Sequence, residues 1–370
     1  MRLTIQLKLQ PTPEQSDALR RTVVRANQAC DYISQLAWEC QTFRQFALHK
    51  LCYASVRETF DLAAQMAVRC ISKVADAYKL DTKRLRTFAP LGAIAYDERI
   101  LYFHRTKQEI SIWTLDGRQA MPFLCGERQR ALLHAQRGET DLALVNGAWY
   151  LFAVCEVETP ESIDVEGLLG IDMGVTNIAV DSDGEIHAGK AIKQVRYRHR
   201  RLRQKLQRKR THGSRRRLKK LAGQEYRFAT WVNHTLSKRI VAKAEGTKRA
   251  IALEDLTHIR TRVTARRSQR ATLHSWAFAQ LRAFLTYKAQ LRGVPVHAVD
   301  PRNTSRTCPS CGGIDKANRK TQASFVCTRC GFAGPADVIA AGNIAGRARV
   351  SAPYYPAADS SVDEGKAHEL

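Results

Sequence analysis

Cys308-Pro309-Ser310-Cys311 is followed, after fifteen residues, by Cys327-Thr328-Arg329-Cys330, and then by the run Asp337-Val338-Ile339-Ala340-Ala341-Gly342-Asn343-Ile344. Each cysteine pair can bend two sulfurs onto one ion, and two pairs at this spacing make a closed four-thiolate zinc site. A redox dithiol needs only one such pair. All four ligand positions are filled by the protein, so the expected Zn²⁺ is structural and has no position open for chemistry. Asp337 stands seven residues beyond Cys330 and opens a helix of small residues. The ribbon thus delivers a carboxylate to a defined place.

Two upstream segments end on further acids. Leu168-Leu169-Gly170-Ile171-Asp172-Met173-Gly174 and Arg249-Ala250-Ile251-Ala252-Leu253-Glu254 are apolar strands with a carboxylate at or near the end. In α/β sheets, sites gather at strand ends. A pair of Mg²⁺ ions that cuts a phosphodiester needs several convergent carboxylates, and hard Mg²⁺ prefers oxygen ligands. Taken singly, Asp172 is an ordinary acceptor of backbone hydrogen bonds and Asp337 an ordinary helix cap. As a trio beside a zinc ribbon and a polybasic segment, Asp172, Glu254 and Asp337 read as catalytic and Mg²⁺-binding residues. Asp255 and Asp300 read as structural.

After Asp172, residues 177–180 and 185–187 read as two strands joined by the turn Asp181-Ser182-Asp183-Gly184. A three-stranded meander that begins with an acidic strand is how an RNase-H-like nuclease core starts. Residues 190–220 hold sixteen Lys or Arg and no acid. Like charges at this density repel without a counter-anion, so the segment is expected to meet nucleic-acid phosphates. Leu202, Leu206, Leu218 and Leu221 give it a packing edge. Residues 260–270 form a second basic cluster, and residues 275–292 a helix stopped by Gly293.

The first half differs in character. Leu3, Ile5, Leu7 and Leu9 alternate with polar residues, as in a half-buried strand. Thr12-Pro13-Glu14-Gln15 carries an N-cap, a first-turn proline and a capping-box glutamine. A proline-free helical region runs to about residue 83, with Trp38, Phe43, Phe46, Tyr53, Phe60 and Met66 expected to pack between helices. Asp116-Gly117 and Asn146-Gly147 are tight-turn signals inside β-rich runs, which predicts a small antiparallel barrel reaching residue 157 and joined by the N-terminal strand.

The chain has 370 residues, 60 Lys+Arg against 35 Asp+Glu, a net charge of +25 and 44% hydrophobic residues. A large core is affordable, and the excess charge calls for a polyanion: nucleic acid first, an anionic membrane surface as the competitor. No signal peptide or run of eighteen apolar residues is present, so no membrane-spanning segment is expected. The six cysteines outside the ribbon are scattered and read as reduced core residues, which predicts a cytoplasmic protein.

These residues resemble the TnpB/OrfB family, the insertion-sequence nucleases related to CRISPR type V effectors. The stretches that carry the resemblance are 170–174, Ala252-Leu253-Glu254-Asp255-Leu256, the helix around Ser275-Trp276-Ala277-Phe278 and Tyr287-Lys288, Asn303-Thr304-Ser305-Arg306-Thr307-Cys308 through Cys330-Gly331, and Ala336-Asp337-Val338 with Ala340-Ala341 and Asn343-Ile344. The resemblance covers residues 1–348. It implies an α/β fold with α+β parts: a wedge (oligonucleotide-binding-like) β-barrel at 1–12 and 84–166, carrying a helical recognition insertion at 13–83. A RuvC/RNase-H-like nuclease domain follows at 167–304 and 334–349, with a basic helical insert at 190–247. A zinc-ribbon target-nucleic-acid-binding module occupies 305–333, and a disordered tail 350–370. It further implies a guide RNA from the transposon end, a target of double-stranded and displaced single-stranded DNA beside a short motif, and DNA cleavage. Asp172, Glu254 and Asp337 fall on the family's catalytic positions, and Cys308, Cys311, Cys327 and Cys330 on its zinc ligands. One departure is Ile339, where the family usually has Asn. A nuclease-free RNA-guided DNA-binding repressor, against which the intact acidic trio speaks, and an autonomous transposase acting on element ends remain as alternatives, since RNase-H-like folds support both hydrolysis and strand transfer.

Overall fold

The computed structural model describes residues 1–174, 177–187, 190–255, 278–321 and 323–349. The expected basic cluster at 260–270, residues 275–277 and the tail from 350 lie outside the described residues. The chain divides into two units, Met1–Glu158 and Thr159–Leu370. Among the described residues no helix is long and apolar enough to cross a membrane.

The first unit is built on the alternation in β1 (Arg2–Leu9). Its inward Ile5, Leu7 and Leu9 are buried while the residues between them are exposed. β1 does join the hairpin-rich segment. With β2 (Ile94–Tyr96), β3 (Leu101–His104), β4 (Glu109–Thr114), β5 (Gly117–Leu124), β6 (Gln136–Val145) and β7 (Ala148–Glu156) it makes a seven-stranded sheet of order β2-β6-β7-β1-β5-β4-β3. Tyr96 on one end strand donates from its hydroxyl to Trp113 O on β4 at 3.2 Å, so the sheet is nearly closed. At the β6–β7 turn Asn146 and Gly147 both adopt positive φ (51° and 82°), the conformation that an Asn-Gly hairpin turn requires.

Between β1 and β2 lie α1 (Pro13–Glu39), α2 (Gln45–Phe60) and α3 (Ala64–Leu80). The expected capping box is formed: Thr12 N donates to Gln15 Oε1 (3.1 Å) and Gln15 N to Thr12 Oγ1 (3.3 Å). Met66 is fully buried, and Trp38, Phe43, Tyr53 and Phe60 pack against the core. Phe46 does not. It is 73% exposed, and Lys50 lies over its ring with Nζ 4.7 Å from the ring centre. A short helix, α4 (Glu127–Leu133), interrupts β5 and β6 where no helix was expected.

The second unit has a four-stranded sheet of order β11-β10-β8-β9, made of β8 (Gly167–Asp172), β9 (Val180–Asp181), β10 (Arg249–Glu254) and β11 (Val296–Val299). β8, β10 and β11 are parallel and β9 is antiparallel. The expected meander is shorter than its sequence pattern. β9 has two residues, and its return is a single bridge from Val180 to Ile186. The buried Asp181 carboxylate causes this by accepting the amides of Asp183 (3.0 Å) and Glu185 (2.9 Å), which curls the chain before a strand can extend.

The basic segment is helical and forms two helices, α5 (Lys190–Lys209) and α6 (His212–Gly246). Arg210 takes a left-handed φ of 51°, and Thr211 caps α6 by accepting from Ser214 N at 3.2 Å. Leu206 and Leu221 are buried, while most of the Lys and Arg side chains between them are exposed. α6 then covers one face of the sheet. Val232, Leu236, Ile240 and Val241 join Leu169, Ile171, Ile251 and Leu253, with Leu281 and Leu285 from α7 (Phe278–Gln290).

α8 (Ala336–Ala348) covers the other face, where Ile344 and Ala348 meet Ala252 and Val299. Its approach to β8 has no room for a side chain at residue 170. A Cβ there would collide with Ala341 O and lie 2.8 Å from Ala345 N. Both obstacles are helix backbone and neither can rotate away. Gly170→Ala is therefore expected to lower the unfolding free energy of the second unit by about 3 kcal/mol or more, beyond ordinary overpacking. A urea titration followed by circular dichroism checks this; an unchanged midpoint contradicts the close packing.

Candidate active site and metal centre

Asp172 is the last residue of β8 and Glu254 the last of β10. The parallel register pairs Ile171 with Leu253, which sets the two acids side by side at the same sheet edge. Side chains alternate along a strand. Asp172 shares its face with Gly170, and Glu254 shares its face with Ala252, so both point to the side covered by α8. Asp337 is in the first turn of α8. All three sequence-predicted acids are half-buried and close enough for their charges to act on one another. They are less tightly gathered than the thiolates described below, which form one of the two groups among the described residues whose ligand atoms all lie within 4.8 Å.

Burial, and then the negative charges of Glu254 and Asp337, push the Asp172 carboxyl up to about 7 from an ordinary 3.8, against the pull of Arg319. Burial also raises Glu254, opposed by its hydrogen bond from Thr304. Three further residues fix the acids. Thr304 Oγ1 donates to Glu254 Oε1. Asn177 Nδ2 donates to Asp337 Oδ2 at 3.0 Å, and Arg319 Nη2 to Asp337 Oδ1 at 2.7 Å. The sequence reading assigned none of them a role. Asn177 lies five residues past Asp172 and Thr304 inside the stretch before the first knuckle, so both were within reach. Arg319 is one of many basic residues and carried no local signal.

Asp255 and Asp300 are engaged elsewhere, with Arg282 (2.6 Å) and Arg302 (2.9 Å). Ile339 is buried among Cys308, Phe325, Cys327 and Ala336, in the core of the ribbon. It couples α8 to the ribbon, and Asn177 provides a polar contact to Asp337.

The four cysteines converge. Cys308 and Cys330 have Sγ atoms 3.6 Å apart, as do Cys311 and Cys327. Two sulfurs of a tetrahedral zinc with ~2.3 Å bonds stand ~3.8 Å apart, so the cluster suits that ion. The two knuckles are built alike. Gly312 N donates to Cys308 O and Gly331 N to Cys327 O, both at 3.0 Å, and both glycines have positive φ (69° and 73°). The second knuckle is the turn of a hairpin of β12 (Ser324–Val326) and β13 (Ala333–Pro335), and β13 runs directly into α8.

Residues 278–344 match the family described as "Cas12f1-like, TNB domain", and residues 152–258 the OrfB_IS605 family described as "Probable transposase". The chain is 41% identical over 120 residues to the CRISPR-associated endodeoxyribonuclease Cas12f1 of Sulfoacidibacillus thermotolerans, covering 32% of this chain and 27% of that protein. It is 34% identical over 128 residues to the TnpB-like protein MJ0751 of Methanocaldococcus jannaschii, covering 34% and 45%. Over 205 residues it is 30% identical to a Cas12f1 of Syntrophomonas palmitatica, covering 50% and 40%. The matched part spans less than half the length of each relative. A solved Cas12f1–sgRNA–target DNA complex has a similar fold, with a TM-score of 0.63 and 17% identity, over 90% of this chain and 83% of that one.

Two outcomes are expected. Because Asp172 holds its proton more tightly when folded, its contribution to stability is intact below about pH 4. It is lost as pH rises through about 7, at a cost on the order of 4 kcal/mol without metal. Asp172→Asn, neutral throughout, is expected to raise the metal-free Tm at about pH 8 and leave it unchanged at about pH 4. Equal Tm values at about pH 8 contradict the burial of the charge. Metal analysis is expected to give one thiolate-held zinc per chain, absent from Cys327→Ser, with α8 losing hydrogen-exchange protection on its removal. A Cys327→Ser chain with native protection of α8 contradicts the coupling.

Proposed function

We propose that this chain, which belongs with the TnpB/OrfB and Cas12f proteins, is an RNA-guided, metal-dependent DNA endonuclease. The observation that carries the reading is the meeting of Asp172, Glu254 and Asp337 at one sheet edge beside a four-cysteine ribbon, in a Cas12f1-like fold. The relatives named as endodeoxyribonucleases, and the sgRNA and target DNA in the similar structure, support guide RNA and DNA as partners.

In this reading residues 1–12 and 84–166 are the wedge barrel, whose strands all lie in the first unit, and 13–83 its recognition insertion. Residues 167–304 and 334–349 are a RuvC-like domain with the basic insert 190–247, and 305–333 the target-nucleic-acid-binding module. The guide derives from the transposon end, and the target, recognised beside a short motif, presents duplex and displaced single strands.

Asp172, Glu254 and Asp337 hold Mg²⁺, with two ions the best fit to three acids. When bound, the metal supplies an activated water and stabilises the leaving oxygen of the phosphodiester. The chain's own groups prepare that step. Thr304 orients Glu254, Asn177 and Arg319 orient Asp337, and the Arg319 guanidinium keeps positive charge beside the acids, where an anionic phosphate must sit. The Asp172 carboxyl, about half protonated near pH 7 in the folded chain, would have to release that proton to hold a cation. The α5 charges meet phosphates and carry little base information.

Asp172→Ala is expected to reduce DNA cleavage by about a thousandfold or more while target binding stays near wild type. Thr304→Ala, which removes an outer-shell donor, is expected to cost about ten- to a hundredfold. Cleavage gels and binding shifts on the same purified complex check both. Mg²⁺-dependent cutting by Asp172→Ala contradicts the assignment, and wild-type binding without cutting favours a nuclease-free repressor.

A further inference from the structure

A second ionic cluster lies on the opposite face of the sheet. β9 pairs Asp181 with Ile171 and Val180 with Asp172, so alternation sends Asp181 toward α6 and away from the acidic trio. Asp181 is fully buried. Besides two backbone amides, its carboxylate accepts from Lys243 Nζ and from His187 Nε2, the latter at 3.0 Å. A carboxylate can only accept, so Nε2 carries a hydrogen and the other ring nitrogen, Nδ1, is left to find its own partner.

Nδ1 has none. The His187 side chain is 1% exposed, and Nδ1 is buried without a hydrogen bond. It faces Glu185 Oε1 at 3.6 Å. A ring lone pair opposed to a carboxylate oxygen is repulsive unless a positive centre lies between them. The surrounding charges leave room for one. Asp181, Asp183 and Glu185 bring three negative charges, and Lys243 and Arg249 bring two positive ones. Lys243 Nζ bonds the other Glu185 oxygen, Oε2, at 3.0 Å and so leaves Oε1 free to act.

We propose that His187 Nδ1 and Glu185 Oε1 hold a divalent cation of the zinc class, with Asp181 as the outer carboxylate that orients the imidazole. Two ligand atoms on one tetrahedral zinc, at ~2.0–2.1 Å each, stand ~3.3 Å apart, near the separation found here. A carboxylate on the far ring nitrogen is the usual support of a metal-binding histidine. An imidazole donor selects zinc-type ions over Mg²⁺. The ligand atoms of Asp181, Glu185 and His187 all lie within 4.8 Å of one another, and Glu185 is half exposed, which gives the ion a path to water. Such an ion closes the 185–187 turn on itself, behind the strand that carries Asp172. It is separate from the ribbon's zinc and from the catalytic Mg²⁺.

The test is a zinc titration of the purified full-length chain against a chromophoric chelator. Wild type is expected to show a zinc class beyond the thiolate site. Glu185→Ala and His187→Ala are expected to weaken that class by at least about tenfold. Both variants, and Asp172→Ala, keep the ribbon's zinc, and cobalt substitution is expected to leave the thiolate charge-transfer band unaltered in each. Glu185→Ala removes a half-exposed side chain and so guards against misfolding of His187→Ala. If both variants titrate like wild type, or if nitrogen-15 NMR of zinc-treated wild type finds a proton on each His187 nitrogen, the gap holds a proton and the proposal is overturned.

Discussion

Asp337 meets Asp172 and Glu254 because α8 lies directly on β8, at a position where the strand has glycine in place of a side chain. Everything at the candidate site depends on that contact. A helix can approach a sheet so closely only where both surfaces are small, and the α8 face provides Ala341 and Ala345 opposite Gly170. The small residues of the 336–348 helix are thus a packing requirement with a chemical consequence: they set the depth at which an acid in the first turn sits above two strand ends.

The ribbon fixes the same helix from its other end of approach. Its second knuckle runs through β13 into Ala336, and Ile339 is sunk among the cysteines and Phe325. Structural zinc contributes to folding, and a zinc held by these four cysteines would act through one turn of helix on a carboxylate. Arg319, inside the ribbon, touches Asp337 directly. A metal site with no open position would thereby act on the acids by geometry alone. Against this stands the cost of holding three half-buried acids together, visible in the raised Asp172. That cost is the usual mark of a site prepared for cations or for proton transfer.

Where periodicity and spacing were strong, the sequence was informative. The cysteine spacing, the acids at strand ends, the capping box at Thr12 and the Asn146-Gly147 turn are each local patterns, and each appears in the structure as read. The misses share one cause, which is dependence on distant partners. Phe46 has the composition of a core residue, yet α2 turns it outward. The basic run is continuous in charge but broken in backbone at Arg210, with Leu206 and Leu221 buried on either side of the break. β9 stops early for the sake of a buried carboxylate. Thr304 and Asn177 touch acids 50 and 160 residues away although each sits beside a motif, and Arg319 reaches Asp337 from 18 residues away with no local signal at all.

The central claim, cutting of DNA chosen by a bound RNA, rests on a site and a shared fold, and one measurement reaches it directly. The RNA that co-purifies with the chain is sequenced, and the complex is given Mg²⁺ with duplexes that carry or lack its complement beside a randomised flanking motif. The expected result is cleavage of the complementary duplex alone, within a subset of flanking motifs, and its loss once the RNA is digested. Cleavage that ignores the complement, or that survives removal of the RNA, contradicts the account.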